Sequence, residues 1–510
     1  MNKFDNYNLE NYINDIKNLG LEQTWDLICQ YVTELNGNVS DFLNIKNFGE
    51  LYEIGLAIQN KFLKKQKGQY YTPEDVAEVM SSWLKTCEGD VVCDVACGTG
   101  KLILTYLDLI GTASAKKLIS SGNLYLYDSD NIALKICYTT LAIKYGIDIA
   151  KSIHVFNCDF LDNSISLPEN AKVISNPPYA QIEEIKNSWS ATKVLKETKE
   201  LYSCFMEKIF SQAKSTVIIT PFSFISGSKF KSLRKEMCNL GNGFIVAFDN
   251  VPGTIFCGRK QGIFNTNTAN SVRAAITVFN KSSKQFGFKV SPLIRFKNEE
   301  RKELLKCDVL EKTLSNQYQI ITDENTTFKK IDNNLLEVFN KWTTSSENKV
   351  KDFVVKNTSN YLIDIPNTCR YFTVASAHKL SRMGFIILNI EDEDKFNFLY
   401  CFINSSFAYW WWRIYDGGII YPSNLLKELP VPYNLLTDSD KAFFAEMAKE
   451  MIEKEKDFIV TKINVGIAQE NIKFPEKYRD QINNKILQIL GFNFTEDIFK
   501  QIHANKFFTN

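Results

Sequence analysis

From about residue 67 to 290, this 510-residue chain alternates short β-branched or apolar runs with stretches at helical spacing, and that alternation limits its fold more than any other feature. The runs are Val91-Val92-Cys93-Asp94, Leu124-Tyr125-Leu126-Tyr127-Asp128, Ile153-His154-Val155-Phe156, Val173-Ile174-Ser175, Val217-Ile218-Ile219 and Ala274 to Phe279. Strands separated by helices pack as a mainly parallel sheet covered on its faces, so the pattern predicts an α/β, doubly wound core. Residues 1–66 place Leu21, Trp25, Ile28 and Val32, then Leu51, Ile54, Ile58 and Phe62, at helical spacing without a proline, which predicts an N-terminal helical segment. Beyond about 290 the pattern is mixed and rich in Asn and Ser, until helical periodicity returns after about 434.

Composition excludes several classes. With 45% hydrophobic and 23% charged residues, the chain has the make-up of a globular protein long enough for two or three domains. No stretch approaches the roughly 18 uninterrupted apolar residues of a membrane span, and no basic, apolar leader opens the chain, so no membrane partner and a cytoplasmic location are expected. Twelve cysteines without a Cys-x-x-Cys pair, beside three histidines, fit neither a disulfide framework nor a metal site. Net charge is only +1, yet between Lys214 and Lys306 there are 16 Lys or Arg against 5 Asp or Glu. Charge gathered in one window can build a local positive field for a nucleic acid, or can be a solvated lysine-rich face.

The most informative segment is Asp94-Val95-Ala96-Cys97-Gly98-Thr99-Gly100, where an apolar strand ends in a carboxylate and a glycine turn precedes a helix. Such a turn lets backbone approach a ligand closely at the carboxyl edge of a sheet. It lacks the Gly-x-x-x-x-Gly-Lys-Ser/Thr of a phosphate loop and the Gly-x-Gly-x-x-Gly of a dinucleotide site. The next strand ends in Asp128, whose carboxylate can accept from both hydroxyls of a ribose. A nucleoside held without a phosphate grip points to S-adenosyl-L-methionine.

A second segment, Asn176-Pro177-Pro178-Tyr179, follows the run ending at Ser175. The Asn176 amide oxygen and the Pro177 carbonyl can both accept from an amino group, and two prolines stiffen the loop. Paired acceptors favour a planar nitrogen that turns tetrahedral as it attacks an electrophilic methyl. Tyr179 can stack on the ring that carries that nitrogen. An ordinary surface Asn-Pro-Pro turn would look the same in isolation.

Taken in order, Gly68-Gln69-Tyr70-Tyr71-Thr72-Pro73, Asp94 to Gly100, Asn157-Cys158-Asp159-Phe160-Leu161 and Asn176 to Tyr179 resemble the gamma class of adenine-N6 DNA methyltransferases of restriction-modification type. The resemblance implies a Rossmann-like methyltransferase sheet over 67–290, a mixed α+β target-recognition domain over 291–433 and a helical tail over 434–510. It implies that Tyr71, Thr72 and Pro73 border the methionine part of S-adenosyl-L-methionine, that Asp94 lies near its amino group and that Asp128 binds its ribose. Asp159 would take the cofactor adenine amino group, and Phe160 would lie against that ring. An aromatic on the second face of an extruded base is expected between Pro252 and Phe264, with Phe256 and Phe264 as candidates. Val95 stands where the class usually has proline.

The implied activity is methyl transfer to adenine in double-stranded DNA, with a restriction endonuclease or specificity subunit as a possible partner. The same loop occurs in enzymes acting on protein glutamine or RNA guanine, but the Gln69 to Pro73 segment and about 220 residues after the catalytic segment favour DNA. A cytosine-C5 enzyme needs a cysteine nucleophile, generally after proline, and the chain has no Pro-Cys pair. A fused nuclease finds no evident carboxylate set before Lys67, and intact motifs speak against a non-catalytic scaffold.

Overall fold

The computed structural model describes residues 72–256, 272–464 and 466–508. The expected N-terminal helical segment, Tyr71 and Phe264 lie outside the described residues. The chain divides into two compact units, the first ending at Phe328 and the second starting at Lys329.

The first unit is built on an eight-stranded sheet: β1 (Val91–Val95), β2 (Leu124–Asp128), β3 (His154–Asn157), β4 (Ala171–Ser175), β5 (Ser215–Pro221), β6 (Gly241–Phe248), β7 (Ala274–Lys281) and β8 (Gly287–Ile294). Their spatial order is β3-β2-β1-β4-β5-β7-β6-β8. The first five run parallel, β7 inserts antiparallel between β5 and β6, and β8 pairs in parallel with β6 at the edge. Every residue of β4 and β5 is buried, as expected of inner strands covered on both faces. Helices α1 (Glu74–Thr86), α2 (Lys101–Ile110), α3 (Thr112–Ser120), α4 (Asn131–Tyr145), α5 (Lys193–Thr198), α6 (Leu201–Gln212) and α7 (Lys231–Leu240) accompany it. Asp130 starts α4 by accepting from the Ile132 and Ala133 amides.

The chain winds outward from β1 to β2 and β3, then returns to lay β4 on the other side of β1. Loops leaving neighbouring strands at such a switch diverge and leave a crevice at the carboxyl edge. Cys93, Asp94 and Val95 pair with Val173, Ile174 and Ser175, so the glycine loop and the Asn176 loop leave the sheet side by side.

The basic window divides: its described lysines are exposed or half-buried, whereas its described arginines turn inward. Arg234 is fully buried, Arg295 is buried with Arg273 against Asp249, and Arg301 is buried against Asp75. These arginines face inward because carbonyls and carboxylates await them there. Arg234 shows the effect most strongly: it donates to the carbonyls of Phe224, Gly227 and Thr326 at 2.6 to 2.9 Å, and burial pulls its pKa down to about 10. Arg234→Met removes this donor from all three carbonyls, of which that of Gly227 keeps only the Phe230 amide. It is expected to cost about 3 kcal/mol and to lower the melting temperature by roughly 6–12 °C in a thermal scan.

The second unit packs α8 (Leu336–Ser345), α9 (Glu393–Ile403), α10 (Ser406–Tyr415), α11 (Asp438–Glu453) and α12 (Glu476–Ile489) with two antiparallel hairpins, β9 (Tyr361–Pro366) with β10 (Phe385–Ile390) and β11 (Ile459–Asn464) with β12 (Ile467–Ile472). The Trp410-Trp411-Trp412 triplet is core: Trp410 stacks on the buried Trp342 at 5.8 Å, and all three indoles are nearly covered. Helix does return after 434, but the β-branched Ile459-Val460-Thr461 run pairs as a strand between the last two long helices. Among the described residues no helix is long and apolar enough to cross a membrane.

Candidate functional site

The glycine loop turns by placing Ala96, Gly98 and Gly100 in the left-handed region, at φ 61°, 53° and 90°. Asp128, at the end of β2, grips it: one carboxylate oxygen accepts from the Gly98 amide at 2.7 Å and the other from the Asp130 amide at 2.7 Å. The Cys97 amide donates to the Tyr127 carbonyl at 3.0 Å. A methyl group on Gly100 would lie 2.5 Å from Cys137 Sγ of α4, so only glycine fits where loop meets helix.

Asp94 is fully buried beneath this loop. Its Oδ2 accepts from the Ile103 amide at 3.2 Å, whereas its Oδ1 is buried without a hydrogen-bond partner. Burial, with the Asp128 charge next, holds the Asp94 carboxyl well above the ordinary carboxylate range. Burial likewise pushes Asp128 up to about 6, against the pull of the Asp130 and Gly98 amides. Two carboxylates thus converge on the crevice, one of them short of a donor.

On the other side of β1, Ser175 ties the strands by donating to the Val95 carbonyl at 2.6 Å. Asn176 is half-buried, Pro177 buried and Pro178 half-buried. The Asn176 amide nitrogen donates to Thr72 Oγ1 at 2.9 Å. The Tyr179 hydroxyl lies 2.7 Å from Asn176 Oδ1 and 3.1 Å from the Ile219 carbonyl; having one proton, it donates to one of them at a time. Thr72, expected beside a cofactor, therefore also touches the expected catalytic side chain, and Pro73 follows it directly into α1.

Of the two candidate aromatics, Phe256 is buried against Tyr179, with ring centres 6.0 Å apart and planes at 64°. That is an edge-to-face contact. A base sandwiched between them would need parallel rings about 7 Å apart, twice the contact distance of carbon atoms, so one ring must turn to admit it.

The Asp159-Phe160 pair makes contacts of its own within the chain. One Asp159 oxygen accepts from the Leu161 amide at 3.1 Å, and the other from Lys186 Nζ at 2.7 Å and Trp189 Nε1 at 3.0 Å. Phe160 is 3% exposed, packs against Tyr127 and Phe205, and has the Lys208 ammonium 5.0 Å from its ring centre. Lys208 also holds the Phe160 carbonyl. Lys186 and Trp189 gave no signal in the sequence, because their loop has no periodicity and they meet Asp159 from 27 and 30 residues away. Among the described residues no group of His, Cys, Asp or Glu could hold a metal ion.

The profile of the N-6 DNA Methylase family matches residues 44–364 of this chain. The methylase subunit of the type I restriction enzyme EcoEI from Escherichia coli is 24% identical over 257 residues, covering 46% of this chain and 50% of its own length. The type II methyltransferase M.PstI of Providencia stuartii is 27% identical over 191 residues, or 34% of this chain and 37% of its own. A structure of a nuclease-deletion mutant of the Type ISP restriction-modification enzyme LlaGI in complex with a DNA substrate mimic aligns with a TM-score of 0.45 at 13% identity, covering 89% of this chain and 61% of that one. The chain spans at most about half the length of these curated relatives. Its family match nevertheless takes in the glycine loop, Asp128 and the Asn176 loop and exceeds half of the chain, which therefore belongs to the N-6 DNA Methylase family.

Proposed function

We propose that this chain transfers a methyl group from S-adenosyl-L-methionine to the exocyclic amino nitrogen of an adenine rotated out of double-stranded DNA, the methyl–sulfur bond breaking to leave a neutral thioether and the nitrogen shedding one proton to solvent. One observation carries the reading: the glycine loop over the unpartnered Asp94 Oδ1 and the Asn176 loop faced by Tyr179 and Phe256 leave adjacent strands at the switch point of the sheet. S-adenosyl-L-methionine supplies a methyl group activated on a sulfonium and carries an ammonium, the donor that Asp94 Oδ1 lacks. The glycine cradle, closed to any side chain at Gly100, suits close backbone approach by the same molecule. Asp128 would accept from ribose hydroxyls while still holding the loop.

The chain's own residues then orient the acceptor. The Asn176 amide oxygen and the Pro177 carbonyl accept from the amino group and favour its change from planar to tetrahedral as it attacks. Tyr179 turns its hydroxyl to donate to the Ile219 carbonyl alone, which frees Asn176 Oδ1 for the substrate. Tyr179 and Phe256 close on the base and offset its unstacking, a few kcal/mol. Recognition of the flanking sequence falls to chain beyond the catalytic sheet, and a cytoplasmic setting follows from the substrate.

A second reading, a modification subunit that needs a specificity subunit or works beside a nuclease, is favoured by the type I methylase subunit among the relatives. Labelled methyl transfer to duplex DNA, RNA and protein by the purified chain tests both. Label on DNA alone supports the first reading, transfer only after a specificity subunit is added supports the second, and label on RNA or protein overturns both.

The Asp128 pKa gives a pH dependence. Ribose hydroxyls need the charged carboxylate as acceptor, so affinity for S-adenosyl-L-methionine is expected to fall as pH drops through about 6. Asp128→Asn is expected to bind more weakly and to lose that step. Stability has the opposite sign: the folded carboxyl holds its proton up to about 6, against 3.8 in the unfolded chain, so this group's contribution declines as pH rises between those values. Cofactor titrations through the folded value of about 6 and thermal scans from below 3.8 to above 6 check both directions.

A further inference from the structure

The target pocket proposed above is bordered by two segments far apart in sequence: the one carrying Thr72, which meets Asn176, and the one carrying Phe256, which meets Tyr179. A single side chain grips both. Arg301 donates through Nε to Asp75 Oδ2 at 2.8 Å and through Nη2 to Asp75 Oδ1 at 2.7 Å, a two-pronged contact three residues after Thr72. It also donates through Nη1 to the Thr254 carbonyl at 2.6 Å and through Nη2 to the Ile255 carbonyl at 3.1 Å, immediately before Phe256. The residue is 9% exposed.

We propose that Arg301 is a positioning residue that fixes the two walls of the target-base pocket on either side of the Asn176 to Tyr179 loop; the inference rests on the reading of that pocket. The guanidinium is planar and rigid, so a contact made on one edge sets the direction of the contacts on the other. Four donations therefore set the separation between the Asp75 carboxylate and the Thr254-Ile255 backbone. An ammonium in its place keeps the charge opposite Asp75 but cannot span to both carbonyls. Helix α1 has other ties to the same region, from Trp83 Nε1 to Glu311 Oε1 at 2.7 Å and from Cys307 Sγ to the Val79 carbonyl at 3.7 Å. Loss of Arg301 therefore loosens the walls while α1 stays docked. Arg301 touches neither reacting group, so it acts through Thr72 and Phe256.

The test compares the full chain with Arg301→Ala, Arg301→Lys and Asp75→Asn by hydrogen exchange and by methyl transfer to unmodified plasmid DNA. Expected is faster exchange around 252–256 in both Arg301 variants, faster exchange around 74–80 in Arg301→Ala only, and unchanged exchange in the inner strands β1, β4 and β5. The turnover rate of Arg301→Ala is expected to fall roughly ten- to hundredfold, with KM for DNA and affinity for S-adenosyl-L-methionine moving less than about threefold. Asp75→Asn, which leaves both carbonyl contacts, is expected to lose less. Unchanged exchange at both segments overturns the proposal, as does wild-type turnover in Arg301→Ala or a loss accompanied by deprotection of the whole sheet. If the wild-type chain transfers no methyl group to any acceptor, the pocket reading fails, and the exchange pattern alone decides whether Arg301 holds the two segments.

Discussion

Asn176→Ala is expected to lower the rate of methyl transfer by roughly 10²–10³-fold, with affinity for S-adenosyl-L-methionine retained. The side chain meets the proposed cofactor site through Thr72 and aims its oxygen at the acceptor, so affinity for S-adenosyl-L-methionine is expected to move far less than the rate. What disappears is an acceptor aimed at the nitrogen whose bonding changes, and such an interaction shows in kcat more than in KM. The neighbours sharpen the expectation. Thr72 meets the amide nitrogen and the Tyr179 hydroxyl meets the amide oxygen, so the group is held in one orientation before any substrate arrives. Tyr179→Phe keeps the ring, removes only the hydroxyl and should lose far less. A rate that survives Asn176→Ala would remove the amide from the mechanism.

The second large effect is structural and falls on the cofactor loop. Gly100→Ala puts a methyl group 2.5 Å from Cys137 Sγ and 3.3 Å from its Cβ, at a φ of +90°. The backbone strain costs about 1–3 kcal/mol, and the overpacking against α4 costs about as much again. Turning the Cys137 sulfur aside relieves the nearer contact alone; the Cβ at 3.3 Å and the φ remain, and a loop that moves off α4 shifts Gly98 away from the Asp128 carboxylate that holds it. Cofactor binding is therefore expected to weaken together with thermal stability. Adding Cys137→Ala removes the sulfur but not the φ, so the double variant should recover the overpacking part of the loss and keep the strain. Calorimetric titration and a thermal scan of the three variants separate the two; a Gly100→Ala protein that matches the wild type in both would show that the loop does not need this approach.

Most of the strands legible in the sequence announce burial on both faces, while the exposed edge strand β3 was legible from the run Ile153 to Phe156. Strands β1, β2, β4, β5 and β7 read as continuous apolar runs because they lie inside the sheet. Strand β6 escaped because Gly241-Asn242-Gly243 reads as a turn. Those glycines belong to a strand pressed against β7, where a Cβ would come within 2.1 Å of the Asn280 carbonyl oxygen and 1.9 Å of that of Val278. Strand β8 carries Pro292, which an edge strand tolerates, and it runs through residue 290, where the periodicity changes.

At the site, Asp94, Gly98, Gly100, Asp128 and Asn176 could be named because each stands at a strand end, and strand ends are visible in sequence. The pairs that join them were not visible. Thr72 and Asn176 are 104 residues apart, and Asp75 and Arg301 are 226 apart, so nothing local links them. Composition left the basic window open between a positive field and a solvated face because it counts charges without their direction; its described lysines stay at the surface, and Arg234, Arg273, Arg295 and Arg301 point into the protein.

The central claim is tested most directly by incubating the purified chain and Asn176→Ala with unmodified duplex DNA and methyl-labelled S-adenosyl-L-methionine, then digesting the product to nucleosides. The account predicts label in N6-methyldeoxyadenosine for the wild-type chain and almost none for the variant. Label on cytosine, or adenine methylation that persists without Asn176, would contradict it.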